Sequence, residues 1–135
     1  MLFRSKYLRV AVTATNSAGS STALSATSAL VVSAPQNTKA PTVSGTTTVG
    51  RTLTAKPGTW SGTAPITYAY QWYACTSKVT ASASLSGTCT AISLATSATY
   101  TLTASERTKF VMVRVTATNS VDSAVYYSAA TAAIK

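Results

Sequence analysis

Residues Arg107–Ser120 read Arg-Thr-Lys-Phe-Val-Met-Val-Arg-Val-Thr-Ala-Thr-Asn-Ser, and residues Arg4–Ser17 read Arg-Ser-Lys-Tyr-Leu-Arg-Val-Ala-Val-Thr-Ala-Thr-Asn-Ser. The two stretches lie on each other without a gap, Arg4 on Arg107, an offset of 103 positions. The register continues through Ser20 on Ser123, Ser25 on Ser128 and Val31 on Ile134. The chain therefore opens in the closing part of one repeat and then carries a whole one. Each repeat is domain-sized, unlike the roughly 20–50-residue units of solenoids.

Within these stretches the apolar period is two, the period of a strand. Val111, Val113, Val115 and Ala117 alternate with Met112, Arg114 and Thr116; Leu8, Val10, Val12 and Ala14 do the same in the first copy. Ile66, Tyr68, Tyr70 and Trp72 alternate with Thr67, Ala69 and Gln71. Turn signals separate the runs: Ser44-Gly45, Pro57-Gly58, Ser61-Gly62, Ser86-Gly87 and Asn16-Ser17-Ala18-Gly19. Short strands punctuated in this way predict an all-β, antiparallel sandwich of about seven strands over residues 41–135. The preceding half repeat, 1–34, predicts two strands, and 35–40 reads as a linker. Tyr126 and Tyr127 face opposite sides of the last strand, so at least one is expected to be exposed.

Composition excludes several classes of chemistry. Ser and Thr number 19 and 26 in a chain of 135 residues with no His and two Asp+Glu. Zinc, haem and His-based acid/base sites have almost no ligands to draw on. Two acids cannot cage calcium, which takes six to eight oxygens. No nucleophile, base and metal set can be assembled, so the chain is expected not to be an enzyme and to hold no cofactor. The formal charge is +9, but the basic residues are scattered and lack the aromatic interleaving of a nucleic-acid surface. The longest apolar-leaning stretch, Ala23–Ala34, is broken by four Ser and Thr residues. It is far short of the roughly 18–20 residues that cross a membrane, so no membrane insertion is expected. The N-terminus lacks the apolar run of a secretory signal.

In order along the chain, Pro41-Thr42-Val43-Ser44-Gly45, Val49-Gly50-Arg51-Thr52-Leu53-Thr54-Ala55 and Pro57-Gly58-Thr59-Trp60-Ser61-Gly62 are followed by Tyr70-Gln71-Trp72-Tyr73-Ala74-Cys75, Thr99-Tyr100-Thr101-Leu102-Thr103 and Val113–Ser120. As a set these motifs resemble the immunoglobulin-like repeats of surface proteins from actinobacteria and related bacteria. The resemblance covers essentially all of 41–135, with 4–34 matching the tail of a preceding copy. It implies an immunoglobulin-like sandwich, extracellular or on the cell surface, whose signal peptide lies outside this chain, and it brings no catalytic residues. The family usually has an Asp and a Gly at the corner before the penultimate strand, where this chain has Ser105-Glu106-Arg107-Thr108-Lys109.

Cys75 and Cys89 bracket a loop rich in Ser, Thr and Ala. They read as a disulfide pinning that loop in an oxidising compartment, with two reduced thiols as the alternative. Trp72 reads as the core tryptophan. Trp60 is a candidate exposed aromatic for stacking on a sugar ring. Arg4 and Lys6, with their copies Arg107 and Lys109, form the one repeated basic cluster, a candidate contact for anionic polymers.

The half repeat is the most informative feature. Leu8, Val10, Val12, Leu30 and Val31 belong to a hairpin whose sheet is not encoded with it, which leaves an apolar face and an unpaired edge. Three outcomes follow: a loosely ordered remnant of an upstream domain, docking on the chain's own domain, or pairing with another molecule, for which these residues are the candidates for self-association. The expected function is a non-enzymatic spacer or stalk module of a bacterial cell-surface or secreted repeat protein, partnered by other copies of the repeat. One alternative is an adhesive module for glycans or anionic cell-wall polymers. The other is a filament subunit built by strand exchange.

Overall fold

The computed structural model describes residues 6–135. Its strands, in chain order, are β1 (Ala11–Asn16), β2 (Gly19–Leu24), β3 (Gln36–Lys39), β4 (Thr42–Ser44), β5 (Thr52–Lys56), β6 (Thr59–Ser61), β7 (Thr67–Cys75), β8 (Cys89–Ala91), β9 (Thr99–Thr101), β10 (Phe110–Thr118) and β11 (Ser123–Tyr127). One 3-10 turn, Ala104–Glu106, is the sole helical element among the described residues. All strand pairings are antiparallel, as the period-two patterning predicts.

The two longest alternating runs become the two longest strands, side by side. β10 pairs β7 over nine positions, from Phe110 opposite Cys75 to Thr118 opposite Thr67. With β11 and β8 they make a four-stranded sheet in the order β11-β10-β7-β8. Alternation sends Val111, Val113, Val115 and Ala117 inward, where all four are fully buried. Val113 lies opposite Trp72 in the register. A second layer, β4-β5-β9, contributes Leu53 and Ala55, and the β3-β6 pair contributes Trp60 to the same core. The result is sandwich-like. Burying each Val- or Leu-sized side chain is worth about 1.5–3 kcal/mol. The Trp72 indole N–H donates to the carbonyl of Ser97 at 2.8 Å, so this large side chain is buried with its polar atom satisfied.

One end of the outer face of the four-stranded sheet is covered too, while Ala69 and Val125 on that face stay exposed. The loop 76–88 folds over it, and Ser82 bridges to Tyr127. Ala130 donates its N–H to Val79. A second apolar cluster forms beneath, with Tyr73, Met112, Tyr127 and the two cysteines. Tyr73 and Tyr127 meet edge to face, centroids 5.8 Å apart. This corrects the expectation for the last strand: Tyr126 packs against the main core and Tyr127 is buried in the second cluster. A two-faced strand exposes one side only when nothing crosses over it, and here the stapled loop does.

The linker reading of 35–40 is also corrected. Gln36–Lys39 is a strand, paired with β6 through Gln36 opposite Ser61 and Asn37 opposite Trp60. Two glycines make room for it. Gly58 has φ +78°, and a Cβ there would run into the carbonyl of Lys39. Gly62 has φ +138°, and its Cβ would stand 2.9 Å from the carbonyl of Ala34. The Pro-Gly-Thr-Trp-Ser-Gly motif is thus a strand with a backbone-approach glycine at each end.

At the corner before β10, Thr103 caps the 3-10 turn in a capping box with Glu106. The Glu106 carboxylate accepts from the Thr103 N–H and hydroxyl, both at 2.8 Å. Thr108 has φ 66°, the left-handed region that glycine occupies most easily.

Candidate functional site

The strongest candidate is the first hairpin, because the second hairpin shows what it is built for. β1 pairs β2 from Ala11 opposite Leu24 to Asn16 opposite Gly19. β10 pairs β11 in the corresponding register, from Arg114 opposite Tyr127 to Thr118 opposite Ser123. Beyond the strands the hydrogen bonds also recur. Ser25, Ser28 and Val31 donate their N–H groups to Val10, Leu8 and Lys6; Ser128, Thr131 and Ile134 donate theirs to Val113, Val111 and Lys109. The side chains repeat as well. The N–H of Val10 donates to the Ser25 hydroxyl and that of Val113 to the Ser128 hydroxyl, at 2.9 and 3.0 Å. Asn16 Oδ1 accepts from Ala18 and Gly19, as Asn119 Oδ1 accepts from Val121 and Asp122.

The surroundings of the two copies differ completely. Val113 is 0% exposed and its counterpart Val10 is 61% exposed. Val111 and Leu8 differ in the same way, at 0% and 62%. Val12, Leu30 and Val31 are exposed as well, so all five residues expected to mediate self-association are uncovered, with Leu8, Val10 and Val12 at alternate positions on one side of the strand. The outward edge of β1 is unpaired, whereas the same edge of β10 carries β7. An open strand edge presents unpaired N–H and C=O groups that can pair with another chain, and an exposed apolar face marks an interaction surface.

The other candidates are dispersed. Trp60, expected as an exposed sugar-stacking ring, is buried, and its indole N–H donates to the carbonyl of Pro57 at 2.8 Å. The short β6 strand points it into the core rather than along the turn. Arg4 lies outside the described residues. Lys6 and Arg107 are exposed and Lys109 is half-buried, on two separate hairpins. Cys75 and Cys89 form a disulfide, directly opposite each other on β7 and β8. A disulfide fits an oxidising compartment. A groove of about 390 Å³ lies under the stapled loop, between Lys78, Leu85, Met112 and Tyr127. Burial pushes the hydroxyl pKa of Tyr73 up on this face, with the Arg114 guanidinium opposing the rise. The Tyr70 and Tyr100 pKa values are raised too, again first by burial. Among the described residues no helix is long and apolar enough to cross a membrane.

Sequence reasoning missed the joint between the half repeat and the domain. Ser33 donates its N–H to the Thr63 hydroxyl at 2.9 Å and accepts from the Thr63 N–H at 3.1 Å. Asn119 Nδ2 donates to both Ser33 and Thr63 carbonyls, at 2.8 and 2.9 Å. The residue that organises the β10–β11 turn through its Oδ1 therefore also grips the incoming chain through its Nδ2. The recurring Asn16 and Asn119 were the signal in the sequence, but it did not reveal what the second amide atom would touch. Comparison with known protein families, curated proteins and solved structures found no match.

Proposed function

We propose that this chain is a structural spacer unit of a repeat protein on a bacterial surface or secreted from the cell, with an immunoglobulin-like sandwich as the repeating body and no catalytic role. One observation carries the reading: the second hairpin of the chain recurs ahead of the domain with the same register, turn and backbone bonds, and the backbone between the two is hydrogen-bonded into the domain at Ser33. Modules strung in series need this arrangement, a repeat and a joint; a stand-alone binding domain needs neither. The resemblance of 41–135 to actinobacterial surface repeats supports the same role, and so does the Cys75–Cys89 staple, which forms where thiols are oxidised.

The charge of +9 keeps one competitor in play, an adhesive module for anionic cell-wall polymers or glycans. A glycan array and a salt titration with an anionic polymer separate the two. A spacer binds the polymer only by its general field, and that attachment fades as salt approaches about 0.15 M, where the Debye length is about 8 Å. Saturable binding of one sugar or polymer at that salt overturns the spacer reading in favour of adhesion.

A further inference from the structure

We propose that residues 6–34 form a donor hairpin whose seat is the acceptor face of a second copy of this chain. That face is the side of β7 that carries Trp72 and the edge that pairs with β10, together with the facing layer, the surface that residues 107–134 cover in their own domain. The inference rests on the repeat reading of the hairpin and not on where the protein resides.

The seat is defined residue by residue. Docked as its counterpart is, Val10 stands opposite Trp72, Val12 opposite Tyr70 and Thr13 opposite Ala69, the places held by Val113, Val115 and Thr116. The inward set is matched in volume. Val10, Val12 and Ala14 are identical to the residues they replace, and Leu8 for Val111 adds the methylene that Val31 for Ile134 removes. Volume-conserving apolar exchange of this kind is what a packed core tolerates best. The turn fits as well, because Asn16 already holds the conformation in which Asn119 reaches the carbonyl of Thr63.

The seat cannot be the chain's own. Docked, Val31 would stand where Ile134 stands, bonded to Lys109 at one end of β10. Ser33, two residues later, is held by Asn119 at the other end of that strand. Lys109 and Asn119 flank the nine-residue strand β10, an interval of roughly 33 Å at about 3.3 Å per residue. Val32 cannot bridge it while β3 stays paired with β6. Residues 41–106 of the same chain are therefore excluded as its seat, and a second copy supplies an equivalent one.

The resident hairpin holds the advantage in the intact chain. It is covalently attached on the correct side, and on the outer face it supplies Met112 and Tyr127 where the donor has Arg9 and Leu24. The donor takes the seat when the resident is weakened, and each chain then offers one free donor and one vacant acceptor. Such units link head to tail into rings or open filaments.

The test uses the full chain. Val113→Asp disables the resident hairpin and leaves the donor intact; Val10→Asp disables the donor; the double variant disables both. Val113→Asp is expected to keep its strand circular dichroism and to form oligomers whose mass rises with concentration. Val10→Asp is expected to be a folded monomer, and the double variant an unfolded one. Thr13→Cys with Ala69→Cys, added to Val113→Asp, is expected to give a disulfide between positions 13 and 69 of different chains, mapped by mass spectrometry without reduction. The proposal is overturned if Val113→Asp is an unfolded monomer like the double variant. Equal oligomerisation of both, or a 13–69 bond formed within one chain, overturns it too. None of these outcomes touches the spacer reading, which fails on the glycan array and the salt titration.

Discussion

The chain holds one hairpin twice, and the two copies share a backbone while differing in everything around it. Both carry the same antiparallel register, the same Asn-organised turn and the same Ser or Thr hydroxyls capping strand N–H groups. Those features are local, encoded within about thirty residues. Each hydrogen bond adds only about 0.5–1.5 kcal/mol net, and an isolated two-stranded hairpin is marginal in water. The second copy has in addition Trp72 behind it, β7 along its edge and Ile134 folded into the core. Geometry is therefore set by the hairpin itself, and its persistence is set by the sheet it meets.

Removing what the second copy leans on makes the two alike. Trp72→Ala takes away the largest fully buried side chain and is expected to cost about 3–5 kcal/mol, the usual range for a buried Trp or Phe. The check is amide hydrogen exchange. Protection across 111–117 should fall toward that of 8–14, while the first hairpin stays as it was. If 8–14 proves as protected as 111–117 in the unaltered monomer, the contrast itself is wrong.

Matched substitutions sharpen the contrast. Val113→Ala is expected to cost about 2 kcal/mol, two methylene equivalents at about 0.8 kcal/mol each plus a cavity. Val10→Ala should lie within about 0.5 kcal/mol of zero, as surface changes do. Urea unfolding at micromolar concentration measures both. The asparagines give a smaller difference. Asn119→Ala loses two turn bonds and two joint bonds and should cost about 1–2 kcal/mol, while Asn16→Ala loses turn bonds only and should cost about 0.5 kcal/mol. Faster exchange at Ser33 and Thr63 in Asn119→Ala, and not in Asn16→Ala, would show that the joint is held from the second turn.

The all-β class and the long strand pair were legible because period two is written directly in residues 66–72 and 111–117. The repeat was legible because 9 of the 14 residues in 4–17 are identical to their counterparts in 107–120. Three things were not. Gln36–Lys39 has no apolar alternation to declare a strand, because it is an edge segment whose evidence lies in the partner's glycines, Gly58 and Gly62. Trp60 was misplaced because a turn motif on both sides hid a three-residue strand between. The burial of Met112 and Tyr127 on the outer face of β10 and β11 depends on where a disulfide loop of polar residues comes to rest, a non-local outcome that composition does not encode. Of the candidate site, the apolar residues were legible and the Ser33 clasp was not, since side-chain amide partners are a property of the assembled fold.

The smallest expected effect is a pH dependence confined to the domain. The hydroxyls of Tyr70, Tyr73 and Tyr100 have pKa values raised above 10, each first by burial, which favours the neutral form. At Tyr100 the Glu106 carboxylate adds to the rise, because its negative charge disfavours the phenolate. In the unfolded chain these phenols ionise near their ordinary value of about 10. Above that pH the unfolded state binds fewer protons than the folded one, so stability falls as pH increases. The contribution is complete below about pH 10 and is lost as pH climbs through the raised folded values. Urea midpoints should therefore be flat from neutral pH to about pH 9 and decline beyond it. Tyr100→Phe should flatten part of that decline, because the phenol that resists ionisation is gone while its ring still packs on Trp72, centroids 5.8 Å apart. An alkaline decline unchanged in Tyr100→Phe would place the sensitivity elsewhere and remove Glu106 from its account.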